Sequence, residues 1–71
     1  MKLRISNKVF ELRTKNKLTQ EQLGDAIEVT RATINAIERG DYNPSLELAF
    51  RISLFFKKKI EDIFTVEGTN E

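Results

Sequence analysis

Residues 19–40 read TQEQLGDAIEVTRATINAIERG, and the reading of this stretch decides the fold. Its apolar residues fall into two short helical sets, Leu23, Ala26 and Ile27, then Ile34 and Ile37. Thr19 with Gln22 three positions on has the pattern of a capping box. Thr30 can accept from the free amides of the next helix, and Gly40 suits the left-handed residue that ends it. The spacing predicts helices over Thr19–Ile27 and Thr30–Arg39, parted only by Glu28 and Val29. Gly24 lies inside the first of them, where glycine costs ~1 kcal/mol relative to alanine. That cost predicts tight packing of the second helix against Gly24, with Val29 plugging the turn into the core.

Outward from this pair the apolar spacing stays helical. Val9, Leu12 and Leu18 belong to an earlier segment, which Ser6 or Asn7 can cap. Leu46, Leu48, Ala49, Ile52, Phe55 and Phe56 belong to a later one, and Ile60, Ile63 and Phe64 to a short last one. Pro44 lacks an N–H and pushes Asn43 toward an extended conformation, so a new helix starts at Ser45. The expected fold is all-α, a compact five-helix bundle forming one domain over residues 1–71. The runs LRI and FTV near the two ends are β-prone, and they can pair as a small antiparallel ribbon lying on the bundle.

A chain of 71 residues buries only ~60% of the surface it exposes when unfolded. It contains no cysteine and no histidine, which excludes disulfides and the usual zinc sites. Self-association is the remaining route to extra stability, so a homodimer is expected. MKLRISNK has no apolar core of a signal peptide. LELAFRISLFF, interrupted by Glu47 and Arg51, is too short for the ~20 apolar residues of a membrane span. A cytoplasmic protein is the simplest reading. Net charge is +1, unevenly spread. Residues 1–39 carry eight basic and five acidic side chains, and residues 40–71 four basic and six acidic. The surplus in the first half suits a polyanion partner as well as a merely mixed surface. Nucleophile, base, metal-ligand cluster and phosphate loop are all missing from the pattern, so neither enzyme activity, cofactor, metal nor small-molecule ligand is expected.

The two helices at about 19–39 have the spacing of a helix-turn-helix. On a wheel, Ile34 and Ile37 define the buried side of the second helix, and Arg31, Ala32, Asn35, Ala36 and Arg39 project away. This outer face is shallow and bears donors. Arginine can bond guanine O6 and N7, asparagine can bond adenine N6 and N7, and alanine can touch a thymine methyl. A helix of this kind fits the major groove of DNA. An ordinary amphipathic surface helix would carry similar residues.

The run TQEQLGDAIEVTRATINAIERGDYNPSLELAFRIS resembles the helix-turn-helix of the phage repressor/Cro (XRE) family, and the resemblance extends over residues 9–64. VFELR matches the family's first helix, VTRATINAIERG its recognition helix and YNPSLELA the start of its fourth. The chain is most similar to short stand-alone regulators of that family, exemplified by the cytolysin-operon repressor, whose termini form a ribbon and which are dimers. The resemblance implies a sequence-specific regulator of transcription, most simply a repressor, binding a pseudopalindromic operator in double-stranded DNA. It implies base contacts by Arg31, Ala32, Asn35 and Ala36. It implies backbone contacts by Thr19, Gln20, Thr30, Thr33, Arg39, Tyr42 and Asn43. It also implies a structural ion pair between Arg13 and Glu38. Three positions depart from the family pattern: Glu28 stands where glycine is usual, Gly24 where alanine is, and Phe10 where a charged residue is more frequent, either packed under the terminal ribbon or exposed.

The aromatic-rich second half cannot all point inward. Phe55, Phe56, Ile60, Ile63 and Phe64 are the expected dimer interface, since exposed apolar patches mark interfaces. Lys57–Lys59 read as the solvated end of a helix, complementing its dipole. Two other roles fit the same bundle: an antitoxin, which would also bind a partner protein, and a protein-interaction module that reads no DNA.

Overall fold

The computed structural model describes residues 1–69. Strand β1 (Leu3–Asn7) leads into α1 (Val9–Lys15), α2 (Gln20–Ile27), α3 (Arg31–Glu38), α4 (Leu46–Phe56) and α5 (Ile60–Ile63), and strand β2 (Phe64–Thr69) follows. Val9, Leu23, Ile27, Ile34, Ile37, Leu48, Ile52 and Ile63 form one buried cluster, with Leu12, Val29, Phe56 and Phe64 packed on its rim. Full burial of one such aliphatic side chain stabilises by roughly 1.5–3 kcal/mol. Every helix therefore contributes at least one anchor to a shared core.

The fold is helical with a ribbon rather than all-α. β1 and β2 pair antiparallel, Leu3 opposite Thr69 and Asn7 opposite Phe64, with an irregularity between Arg4 and Ile5. The strands run longer than LRI and FTV, because Asn7 and Phe64 finish the ladder next to the bundle. Ser6 does not cap α1; it faces the ribbon and donates to Glu67 at 2.5 Å. The N-cap position is Lys8, without a side-chain cap, and Asn7 just before it binds the first helical amide. Its Oδ1 accepts from the Val9 amide at 3.1 Å, while its Nδ2 donates to the Ile37 carbonyl at 2.9 Å. The Lys8 amide donates to the Ile63 carbonyl at 2.9 Å. One residue thus ties the ribbon, the start of α1 and the end of α3 together.

Cap chemistry sets the helix ends. Thr19 and Gln22 form the full capping box of α2, and Thr30 and Ser45 accept from the third amides of α3 and α4. At the end of α3, Gly40 (φ 79°) donates to the Ile37 carbonyl, and Asp41 donates to that of Ala36. This pair of bonds is a Schellman motif, and the positive φ is why glycine stands there. Lys17, Glu28 and Lys57 take similar left-handed conformations without being glycine, at a cost of ~1–2 kcal/mol each.

Candidate nucleic-acid interface

The junction of α2 and α3 is drawn tight. The Gly24 carbonyl accepts from the amides of both Glu28 and Val29. A Cβ added at Gly24 would lie 2.6 Å from the Val29 carbonyl oxygen and 3.3 Å from the Thr30 carbonyl carbon. The close neighbour is therefore the turn itself, two residues ahead of α3. Glu28 makes the turn at φ 64°, ψ 44°. Val29 is half-buried against the core. These contacts set α3 across α2 in a helix-turn-helix, with α3 at the surface.

On α3, Ile34 and Ile37 are fully buried. Arg31 and Ala32 are exposed at its first turn, and Thr33 and Ala36 are half-buried beside them. Arg31 has no hydrogen bond or ion pair among the described residues, so its whole guanidinium is available. Thr30 and Thr33 share a hydroxyl hydrogen bond of 3.0 Å. Arg39 is exposed and paired with Asp41 at 3.3 Å. Tyr42 and Asn43 lie exposed in the loop that follows.

Below this face sits a charged scaffold. Arg13 Nε donates to Glu38 Oε2 at 2.6 Å and Arg13 Nη2 to Glu38 Oε1 at 3.0 Å. Arg13 Nη1 donates to the Leu18 carbonyl at 2.8 Å. The side chains are only 11% and 5% exposed. The hydrogen bond to Glu38 is the main cause that raises the Arg13 pKa above its ordinary value, against the opposing effect of burial. The Arg13 guanidinium also lies 5.3 Å from the centroid of Phe10, whose ring is exposed rather than packed under the ribbon.

Gln20 and Asn35 differ from expectation. Gln20 Nε2 donates to Glu38 Oε1 at 3.0 Å and to Asn35 Oδ1 at 3.2 Å. Both hydrogens of the Gln20 amide are thereby spent within the protein. The expected phosphate donor is thus directed inward, beside the free amides at the start of α2. Asn35 is half-buried and leans toward α2 instead of standing free. These links span 15 and 18 residues of sequence, and no local pattern announces them. The Asn7–Ile37 link, 30 residues apart, was equally invisible.

The proposed aromatic interface needs correction. Ile63 is fully buried in the core. Phe56 and Phe64 pack against that core, and Phe56 meets Phe55 edge-to-face at 5.0 Å between ring centroids. The short α5 turns Ile63 inward to close the bundle, so it offers nothing to a partner. The apolar groups that do face outward include Leu46, Phe50 and Leu54, at four-residue spacing along α4. Next to Leu46 lies an apolar groove of about 290 Å³ lined by Ile5, Asn43, Pro44, Ala49, Ile60 and Phe64.

Residues 9–63 match the family described as "Helix-turn-helix". The chain belongs to the helix-turn-helix family. Its XRE-type, Cro/repressor-like character agrees with the resemblance seen in the sequence. A helix-turn-helix transcriptional regulator of Bacillus subtilis, YgzD, is 50% identical over 66 residues, covering 93% of this chain and all of the relative. A helix-turn-helix regulator of Methanocaldococcus jannaschii is 52% identical over 63 residues, covering 89% of this chain and 96% of the relative. Among solved structures, the restriction-modification controller protein C.AhdI from Aeromonas hydrophila superposes with a TM-score of 0.70 at 27% identity. That match covers 78% of this chain and 80% of the controller. The chain is a DNA-binding transcriptional regulator of this family, not an enzyme. Among the described residues, no helix is long and apolar enough to cross a membrane.

Proposed function

We propose that the chain acts as a single cytoplasmic domain that represses transcription, binding a pseudopalindromic operator as a homodimer. The observation that carries the reading is the outer face of α3. Arg31 stands at its first turn, unpaired among the described residues, beside exposed Ala32, and the tight α2–α3 turn and the buried Ile34 and Ile37 hold that turn outward. A helix presented in this way can enter the major groove with its N-terminal end toward the bases. Arg31 and Ala32, with Asn35 and Ala36 behind them, are the base readers. Thr30, Thr33, Arg39, Tyr42 and Asn43 lie along the backbone, and a phosphate sits on the free amides after Thr19. A small domain of this kind represses by occupying the promoter.

The dimer is assigned to Leu46 and Phe50 of α4 with the adjoining groove of Ile60 and Phe64. An apolar surface of this kind is costly to leave in water. Two copies related by a two-fold axis would set their α3 helices one turn of DNA apart, ~34 Å. Fluorescence anisotropy on promoter fragments in a salt series tests the whole reading. Tight binding to some fragment is expected, with log affinity falling linearly as log salt rises. Equal, weak binding to all fragments at low salt would overturn it.

A further inference from the structure

The four side chains Arg13, Glu38, Gln20 and Asn35 form one chain of hydrogen bonds in which every direction is dictated. Arginine can only donate, and the carboxylate paired with it can only accept. The Gln20 atom facing Glu38 Oε1 at 3.0 Å must therefore be its nitrogen. The second hydrogen on that nitrogen meets Asn35 at 3.2 Å, so the atom of Asn35 facing it must be Oδ1. The Asn35 amide is then turned with its NH2 group away from Gln20. That nitrogen has no partner among the described residues, yet no side-chain polar atom there is both buried and unpartnered. It therefore reaches solvent.

We infer that Gln20 is a positioning residue that holds Asn35 as a hydrogen-bond donor toward DNA, so that Asn35 reads a keto base. The inference rests on the DNA-reading face proposed above. In the major groove, guanine O6 and thymine O4 are acceptors, whereas adenine N6 and cytosine N4 carry hydrogens. An outward NH2 group bonds the first pair and meets the amino groups of the second donor to donor; adenine N7 also accepts, but it lies beside the N6 amino group, whose hydrogens oppose a second donor. The adenine pairing that asparagine makes with its oxygen and nitrogen together needs an oxygen that here is turned inward to Gln20. The buried ion pair thus does more than join α1 to α3. By holding the Glu38 carboxylate in place, it sets the amide of Gln20, and through it the chemistry that Asn35 displays.

The test is selection of duplexes from a randomised pool by the full chain, followed by affinities for single-base variants. The position read by Asn35 is the one at which Asn35→Ala abolishes preference. Guanine or thymine is expected there, favoured about tenfold over adenine or cytosine. Gln20→Met keeps the length of the side chain and removes its donors. It should lower that single preference to about twofold, leave preferences elsewhere intact, and change binding to random DNA by less than about twofold. Added to Asn35→Ala, it should have no further effect on specificity. Asn35→Asp, which keeps the Gln20 contact and turns acceptors outward, should move the preference to adenine or cytosine. In the free protein, the Gln20 side-chain NH2 should exchange slowly in NMR spectra and that of Asn35 fast. Selection of adenine at this position would overturn the inference while leaving the DNA-reading face standing. So would a Gln20→Met variant that weakens specific and random DNA alike with its preference intact. A wild-type chain that selects no sequence would overturn the DNA-reading face itself.

Discussion

Glu38→Ala is expected to cost this small domain much of its stability. Glu38 accepts three hydrogen bonds, two from Arg13 and one from Gln20, and its side chain is 5% exposed. Its removal leaves the Arg13 guanidinium, 11% exposed, without a counter-charge. Breaking a buried pair by deleting one partner costs ~3–5 kcal/mol, because an uncompensated charge stays behind. A domain of 71 residues at ~0.05–0.15 kcal/mol per residue holds roughly 4–10 kcal/mol in all. The variant should therefore lose from about a third of its stability to all of it. Urea unfolding followed by circular dichroism reads this directly. With a slope of ~1 kcal/mol per M for a small protein, the midpoint should fall by ~3 M or the folded baseline should vanish. Asp41→Ala is the control, since it breaks the exposed Arg39–Asp41 pair, and its midpoint should not move measurably. Arg13→Met with Glu38→Leu removes both charges together and should recover much of the loss. A Glu38→Ala variant that loses less than about 1 kcal/mol would refute the reasoning, for then the pair behaves as a surface pair.

Four further outcomes follow from the same geometry. Gly24→Ala gains ~1 kcal/mol of helix propensity but drives a methyl to 2.6 Å from the Val29 carbonyl. Overpacking of ~1–3 kcal/mol should win, and a urea midpoint above wild type would contradict this. Glu28→Gly relieves a left-handed φ of 64°. The relief of ~1–2 kcal/mol, less glycine's ~0.5–1 kcal/mol of entropy, should leave a gain of ~0.5–1 kcal/mol, and thermal melting checks the sign. Arg31→Ala should weaken specific binding by ~1–3 kcal/mol and relax the preference at one base pair, which single-base duplex variants would show. Leu46→Asp with Phe50→Asp, both on exposed positions, should convert dimer to monomer at micromolar concentration without loss of helical signal. Unchanged sedimentation would move the dimer seam elsewhere.

Much of the fold is legible because its signals are local. The capping box at Thr19 and Gln22, the caps at Thr30 and Ser45, the stop at Gly40 and the buried spacing of Ile34 and Ile37 all act within four residues. They determine, from sequence alone, where the helices lie and which side of α3 faces the core. The outward placing of Arg31 and Ala32 follows from the same spacing. Sequence pattern also marks the ends as β-prone, though pairing Asn7 with Phe64 joins residues far apart in the chain. What only the tertiary structure decided depends on groups brought together across the fold. Ile63 looked as available as Phe55, and the docking of α5 alone turned it inward. Gln20 looked like a phosphate donor, and Asn35 like a reader of adenine. The structure links both to Glu38, which α1 pairs with Arg13, and a fixed charge imposes direction on every hydrogen bond linked to it. Helical spacing says which way a side chain leaves its helix. How the Asn35 amide is held depends on Gln20, 15 residues from Asn35 and 18 from the Glu38 carboxylate that orients it.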